Sequence, residues 1–395
     1  MSTQMIKEIN EHLKQLCQVI GARPTGSNKN KTAVEYISSE FKKNEYIIEL
    51  QEFNCIDWKK GNIELIIGSE IIQASVSDYS LPCDIQAQYE CVGNIKELEK
   101  SDLNNKIAAI YGDLTKEAIM PKNFRFWNPK EHQRIISALE KANPSAVITV
   151  SFNKNIPVPI IEDGDFNIPC AVVSKKEEDI LLRSLPKNAK LKITSERKNT
   201  KGANVIARNS TEKKRIVLTA HLDTKPNTPG ALDNASGITT LLVLSNLLSR
   251  ERINYGLEFV AFNGEDYYSN AGEISYMDNY LVSNNNDIFC AINCDGLGLA
   301  NSKTALSFIE CEDNIVNKIK RIMSRYPNIE NLEPWYQGDH MMFVMQKIPT
   351  ITFTSKDVFS LIDNTIHTER DTVELIDSMK IMETASFIND MVKEL

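Results

Sequence analysis

The sequence predicts an α/β fold: a mixed, mainly parallel sheet with helices on both faces, interrupted by a β-rich inserted domain. Three observations predict it. From Gly202 onward, short apolar runs alternate with segments of helical period, the pattern of strand–helix–strand units. Between residues 54 and 184 the texture differs: short β-like runs are broken by turn-rich stretches such as residues 163–167. Ahead of residue 54 the helical period returns, so the insertion interrupts one domain rather than separating two. The expected division is residues 1–53 and 185–395 for the main domain and 54–184 for the insertion. At 395 residues the chain can bury a core without a disulfide or metal staple.

Each element follows from its period. Met5, Ile9, Leu13, Leu16 and Ile20 share one face of a first helix. The turn GARPTGSN (21–28) leads to a second helix over 31–43, with Val34, Ile37 and Phe41 on one face, and then to a strand over 47–53. In the insertion, residues 63–67, 107–110, 146–150 and 170–173 read as strands and 130–142 as a helix. The basic stretch 183–201 reads as a solvated strand and boundary linker. The main domain resumes with strands at 216–219, 257–262, 288–293 and 350–354. Helices at 236–249, 273–282, 314–326, 339–346 and 372–393 alternate with them.

Composition narrows the function. With 53 acidic against 45 basic residues the net charge is -8, the wrong sign for a dedicated nucleic-acid binder. No apolar run approaches the length of a membrane span. No nucleic-acid or membrane partner is therefore expected, and no oligomeric state is specified. The first residues are polar, without the apolar core of a signal peptide. The eight cysteines form no CxxC pair and read as reduced thiols, which places the protein in the cytoplasm. Only five histidines are available to any metal or acid–base chemistry. His12 and His132 read as surface residues on charged helices.

The remaining polar chemistry collects at strand ends. His221 and Asp223 follow the strand at 216–219, and Asp233 lies in GALDNASG just before a helix. Glu265 and Asp266 follow the strand at 257–262, Asp295 follows 288–293, and His367 lies beyond the last strand. In such sheets the loops beyond the carboxyl ends open on one edge. Two imidazoles and five carboxylates thus reach one rim. Carboxylates crowded together repel, and a divalent metal removes that penalty. A mixed His/Asp set suits zinc, and the number of donors fits two ions about 3.5–4 Å apart sharing a carboxylate. Asp233-Asn234 also reads as a simple helix cap.

The ordered motifs VLTAHLDT (217–224), PGALDNASG (229–237), FNGEDYY (262–268), NCDGLG (293–298), GDHMMF (338–343) and HTERDT (367–372) resemble the M28 family of metallopeptidases. GARPTGSNKNKTAVEYISSEF (21–41) resembles the family's opening helices. The resemblance implies that His221 and Asp295 hold one metal, that Asp266 and His367 hold the other, and that Asp233 bridges them with a cis peptide after it. It implies that Asp223 orients His221 and that Glu265 is the general base for a metal-activated hydroxide. The implied cofactors are two divalent ions, most readily Zn2+, and the implied activity is exopeptidase hydrolysis of peptides, first of all as an aminopeptidase. The insertion more faintly resembles the protease-associated domain, on 103–112, 136–150 and 168–182.

Two departures stand out. The residue after the base is Asp266 where the family usually has Glu, and the residue before the final histidine is Ile366 where some relatives have an oxyanion-stabilising Tyr. The stretch 269–277 also lacks the family's usual small-residue pattern. Tyr336, Tyr267 and Tyr268 are the candidates for the missing hydroxyl. Asp339 and His340, in GDHMMF, are expected near the metals, with Asp339 alternatively a helix cap. Competing readings on the same fold are a one-zinc, glutaminyl-cyclase-like acyl transfer, a carboxypeptidase or dipeptidase, and a non-catalytic relative.

Overall fold

The computed structural model describes residues 2–183, 188–210, 214–282, 287–362 and 364–395. The chain forms two compact units, Met1–Cys55 with Thr200–Leu395, and Ile56–Asn199. The first unit contains one eight-stranded sheet. Its strands are β1 (Ile47–Lys59), β2 (Glu196–Arg208), β3 (Arg215–His221), β4 (Gly256–Phe262), β5 (Ile288–Cys294), β6 (Thr304–Ile309), β7 (Ile329–Asn331) and β8 (Thr350–Ser355). They lie in the order β1-β2-β4-β3-β5-β8-β6-β7. The central four, β4-β3-β5-β8, are parallel, whereas β2 joins β4 and β6 joins β8 antiparallel. The sheet is mixed and mainly parallel, as expected.

Alternation along the strands sorts the two faces. Ile216, Leu218, Ala220, Leu257, Phe259, Cys290, Ile292 and Phe353 contribute to one core. Helices α1 (Ser2–Lys14), α2 (Asn28–Lys43), α3 (Ser236–Leu248), α5 (Asp313–Met323) and α7 (Ser378–Glu394) bury apolar residues in the same core, while α4 (Ala271–Tyr276) and α6 (Met341–Met345) do not. On the other face Phe262 packs against Tyr276 of α4 and Phe343 of α6, with ring centroids 5.1 and 6.5 Å away. Helix α3 is buried along nearly its whole length, and it carries no charged residue, only leucines, other apolar residues and small or amide polar ones.

Two sequence expectations about histidine are overturned. His12 is buried, with Nδ1 2.6 Å from the Tyr36 hydroxyl. It falls on the same helical face as Ile9, Leu13 and Leu16, and that face is covered. His132 is buried as well, its Nδ1 accepting the Met120 N–H at 3.1 Å, so a polar-looking helix position carries an internal hydrogen bond.

The second unit holds its own eight-stranded sheet, and helix Lys130–Ala142 packs its apolar face into that unit's core. The expected boundary between 184 and 185 falls outside the described residues. Its placement is corrected all the same: strand Asn188–Ile193 pairs antiparallel with both Ile63–Ile67 and Cys83–Val92, so the insertion runs to Asn199. Within the stretch read as a solvated strand and boundary linker, 188–193 is indeed a strand; it is paired on both sides, and its lysines occupy the less buried face. Among the described residues, no helix is long and apolar enough to cross a membrane. Among the described residues, none of the eight cysteines is joined in a disulfide.

Candidate active site

Strand β3 ends on His221, whose side chain is completely buried. Its Nδ1 lies 3.7 Å from Asp223 Oδ1. That same oxygen accepts the backbone N–H of Gly264 at 2.8 Å and of Glu265 at 3.3 Å. The other carboxylate oxygen accepts the Thr25 hydroxyl at 2.9 Å. Asp223 therefore fixes His221 on one side and the turn after β4 on the other. Thr25 belongs to the turn before α2, and neither it nor Asn263, which exchanges amide hydrogen bonds with Asn30, was singled out in the sequence.

Asp233 enters from the loop before α3, and the Asp233–Asn234 peptide is cis, as the resemblance implied. The carboxylate does not cap α3. Asn234 does that, accepting the Gly237 N–H at 2.9 Å while donating to the Cys294 carbonyl at 2.9 Å. A Cβ at Gly237 would stand 2.3 Å from both of those oxygens, so only glycine fits there. The backbone around Asp233 is held by Asp371, which accepts the N–H of Leu232 at 2.7 Å and of Asp233 at 3.0 Å. Burial, and the neighbouring Asp233 charge, push the Asp371 carboxyl up to about 7 against those two hydrogen bonds. Arg23 is fully buried and donates to the carbonyls of Leu222, Pro229 and Gly230, joining the His221 loop to the Asp233 loop. Asp371 and Arg23 lie inside motifs read from the sequence (HTERDT and GARPTGSN). Their bonds go to backbone atoms, which a residue pattern does not display.

Five predicted ligands converge. His221 Nε2 lies 2.9 Å from Asp233 Oδ1 and 3.7 Å from Asp295 Oδ1. His367 Nε2 lies 3.0 Å from Asp233 Oδ2 and 3.0 Å from Asp266 Oδ1. The donors fall into two groups capable of holding an ion, His221–Asp233–Asp295 and Asp233–Asp266–His367, with Asp233 giving one oxygen to each. Asp266 is turned by the Lys225 N–H, which takes its other oxygen at 3.1 Å.

The donor set fits divalent metal. His221 Nε2 and Asp266 Oδ1, one in each group, are buried without any partner in hydrogen-bond geometry, although neighbours stand 2.9 and 3.0 Å away. Each is left available to an ion held by its own group. The field has the right sign too. Burial presses the His221 imidazole down, but Asp223, Asp233 and Asp295 overcome it and carry the group well above its ordinary value. Burial would raise Asp233, yet the two imidazoles hold it well below the usual carboxylate range.

Glu265 sits partly exposed beside this set. Burial, joined by Asp266, Asp339 and Asp295, raises its carboxyl well above the ordinary value against the pull of His221. Asp339 is buried, caps no helix, and leaves Oδ1 unpartnered; burial again raises it strongly. His340 is buried with Nε2 2.9 Å from the Trp335 carbonyl, and burial lowers its imidazole. Tyr336 is 59% exposed and belongs to neither ligand group. Tyr267 is buried, its ring 4.5 Å from that of Tyr268. Ile366 is buried against Leu232 and Val358, an apolar seat beneath the His367 loop.

A mainly parallel sheet whose rim gathers two imidazoles and a shared carboxylate has the donors of a metal-dependent enzyme. The model of peptidase family M28 matches residues 204–392. Aminopeptidase YwaD of Bacillus subtilis (strain 168) is 25% identical over 400 residues, covering 97% of this chain and 83% of that protein. Among solved structures, an aminopeptidase from Aneurinibacillus sp. strain AM-1 superposes with a TM-score of 0.77 at 24% identity, covering 98% of this chain and 93% of that one. BSAP, a zinc aminopeptidase from Bacillus subtilis, gives 0.76 at 21% identity, covering 98% and 94%. Residues 204–392, a little under half of the chain, match peptidase family M28, and the protein is a metallopeptidase.

Proposed function

We propose that the protein is a two-zinc aminopeptidase acting on peptides. The observation that carries the proposal is the division of Asp233 between two ligand groups, one oxygen 2.9 Å from His221 and the other 3.0 Å from His367. When bound there, the ions would polarise the scissile carbonyl and lower the pKa of the attacking water. The chain's own residues do the rest. Glu265 takes the proton of the attacking water and passes it to the leaving amine, a transfer its place beside both ligand groups suits. Asp223 keeps His221 and the Glu265 backbone in register.

The relatives named above are aminopeptidases, which supports an aminopeptidase over a carboxypeptidase. Two complete ligand groups favour two ions over the single zinc of a glutaminyl-cyclase-like reaction. The cytoplasmic location and the protease-associated character of Ile56–Asn199 belong to the same proposal.

Digestion of a peptide library with added zinc, cobalt or manganese, with chelated enzyme as control, tests terminus and metal together. Loss of residues from the N-terminus is expected. Glu265→Gln should lower turnover about 10²–10⁴-fold while mass spectrometry still finds both ions. Undiminished cleavage by that variant would overturn the assignment of Glu265.

A further inference from the structure

Helix α4 begins directly under the turn that carries Glu265 and Asp266. Gly272 makes this possible: a Cβ there would lie 2.2 Å from the Asn263 carbonyl oxygen. Asn204 closes the junction, donating to the Gly272 carbonyl at 2.8 Å and accepting the Asn263 N–H at 2.9 Å. Within the turn, Tyr267 N–H donates to the Gly264 carbonyl at 3.3 Å and Asn270 N–H to the Tyr267 carbonyl at 3.1 Å. Asn270 then adopts left-handed backbone, φ 47°, which asparagine tolerates better than most residues. That conformation turns its side chain back toward the segment it terminates.

The Asn270 amide nitrogen donates to Glu273 Oε1 at 3.0 Å and reaches the Glu265 carbonyl oxygen at 3.5 Å. Glu273 is only 1% exposed, and its second oxygen has no partner. A Cβ on Gly264 would stand 3.7 Å from that oxygen, so the carboxyl lies against the backbone preceding Glu265. A buried carboxyl with one unsatisfied oxygen is destabilising, and no metal ligand group includes it. It stands in the stretch that departs from the family's small-residue pattern. Burial, with the Asp223 charge adding to it, pushes Glu273 up to about 7.

We infer that Asn270 and Glu273 form a clip that positions Glu265 for proton transfer. Asn270 bridges the Glu265 backbone and the Glu273 carboxyl, and Glu273 anchors that bridge to α4. Both are positioning residues, and neither touches the ligand groups. The inference rests on the proton-transfer role proposed for Glu265.

Two variants cut the clip from opposite sides. Asn270→Gly removes the amide while keeping a residue content with positive φ. Glu273→Leu removes the acceptor while filling its volume. Glu273→Gln keeps an acceptor for Asn270 and serves as the conservative rescue. Each is assayed for kcat, KM, bound zinc and melting temperature, beside Glu265→Gln. The expected result is a fall in kcat of about 10–100-fold, the scale of a small misplacement of a reacting group, for Asn270→Gly and Glu273→Leu. KM and bound zinc should be unchanged, and Glu273→Gln should restore most of kcat. Unchanged kcat in the first two variants overturns the clip. So does a loss tracking zinc content or melting temperature instead of kcat alone. If Glu265→Gln is itself fully active, the proton-transfer reading fails first, a result distinct from an inert clip beside a dead Glu265→Gln.

Discussion

The two halves of the ligand cluster share Asp233 but are built differently. His221 closes a central parallel strand, is completely buried, and is backed by Asp223, Thr25 and Arg23. His367 comes from a loop, has left-handed backbone at φ 62°, and leaves 46% of its side chain exposed. The inner half is held by the sheet and by charges with few alternatives. The outer half is held by Asp266, pinned by a single backbone N–H of Lys225, and by a histidine open to solvent. One half is an extension of the core, and the other is an attachment to it.

The largest effect expected is on the residue common to both. Asp233→Asn removes a charged oxygen from each group and should lower turnover about 10³-fold or more, on the scale of lost electrostatic stabilisation of the transition state. Bound zinc should fall with it. Retention of two ions and full activity would show that the halves do not depend on a shared ligand.

Next come the two histidines, which should differ in kind. His221→Ala strands Asp223, Asp233 and Asp295 around a buried pocket and should cost about 3–5 kcal/mol, as uncompensated buried charge does. His367→Ala removes a half-exposed side chain and should cost about 1 kcal/mol or less, yet it should empty the outer group. Denaturant melts with metal analysis separate the two. Equal destabilisation by both would erase the contrast between core and attachment.

This contrast explains what was legible in the sequence. His221, Asp233, Asp266, Asp295 and His367 were readable because parallel strands deliver their ends to one rim, and a polar residue after an apolar run is visible as such. The parallel centre of the sheet was readable for the same reason. Strands β6 and β7 at one edge were not, since short segments between a loop and a helix carry no strong period. Arg23 and Asp371 escaped because they bond backbone carbonyls and N–H groups across 138 to 207 residues of separation. His12 was misread because its polar type outweighed its place on the apolar face, and only its hydrogen bond to Tyr36 of α2 shows what it meets there.

Asp371 tests how far the support for Asp233 is shared. Its two oxygens take the N–H groups of Leu232 and Asp233. Asp371→Asn puts an amide donor opposite one of them. Zinc affinity should drop about 10–100-fold, as is usual for residues that orient ligands from behind, and by a similar factor at both halves. A loss confined to one half would show that Asp371 orients only one oxygen of Asp233.

The smallest effect is expected at Asp266, where the sequence raised the prospect of a weakened outer site. The shorter side chain does reach: Oδ1 is 3.0 Å from His367 Nε2 while Oδ2 receives the Lys225 N–H. Asp266→Glu adds a methylene between the Lys225 backbone donor and the His367 imidazole. The longer carboxylate must give up the Lys225 bond or crowd His367. Outer-site affinity should therefore fall, by about 10-fold at most given the freedom of the exposed histidine, with the inner ion unaffected. Competitive chelation of the two ions in turn reads this directly. If Glu tightens the outer ion instead, the looseness of that half comes from the short side chain rather than from the loop that carries His367.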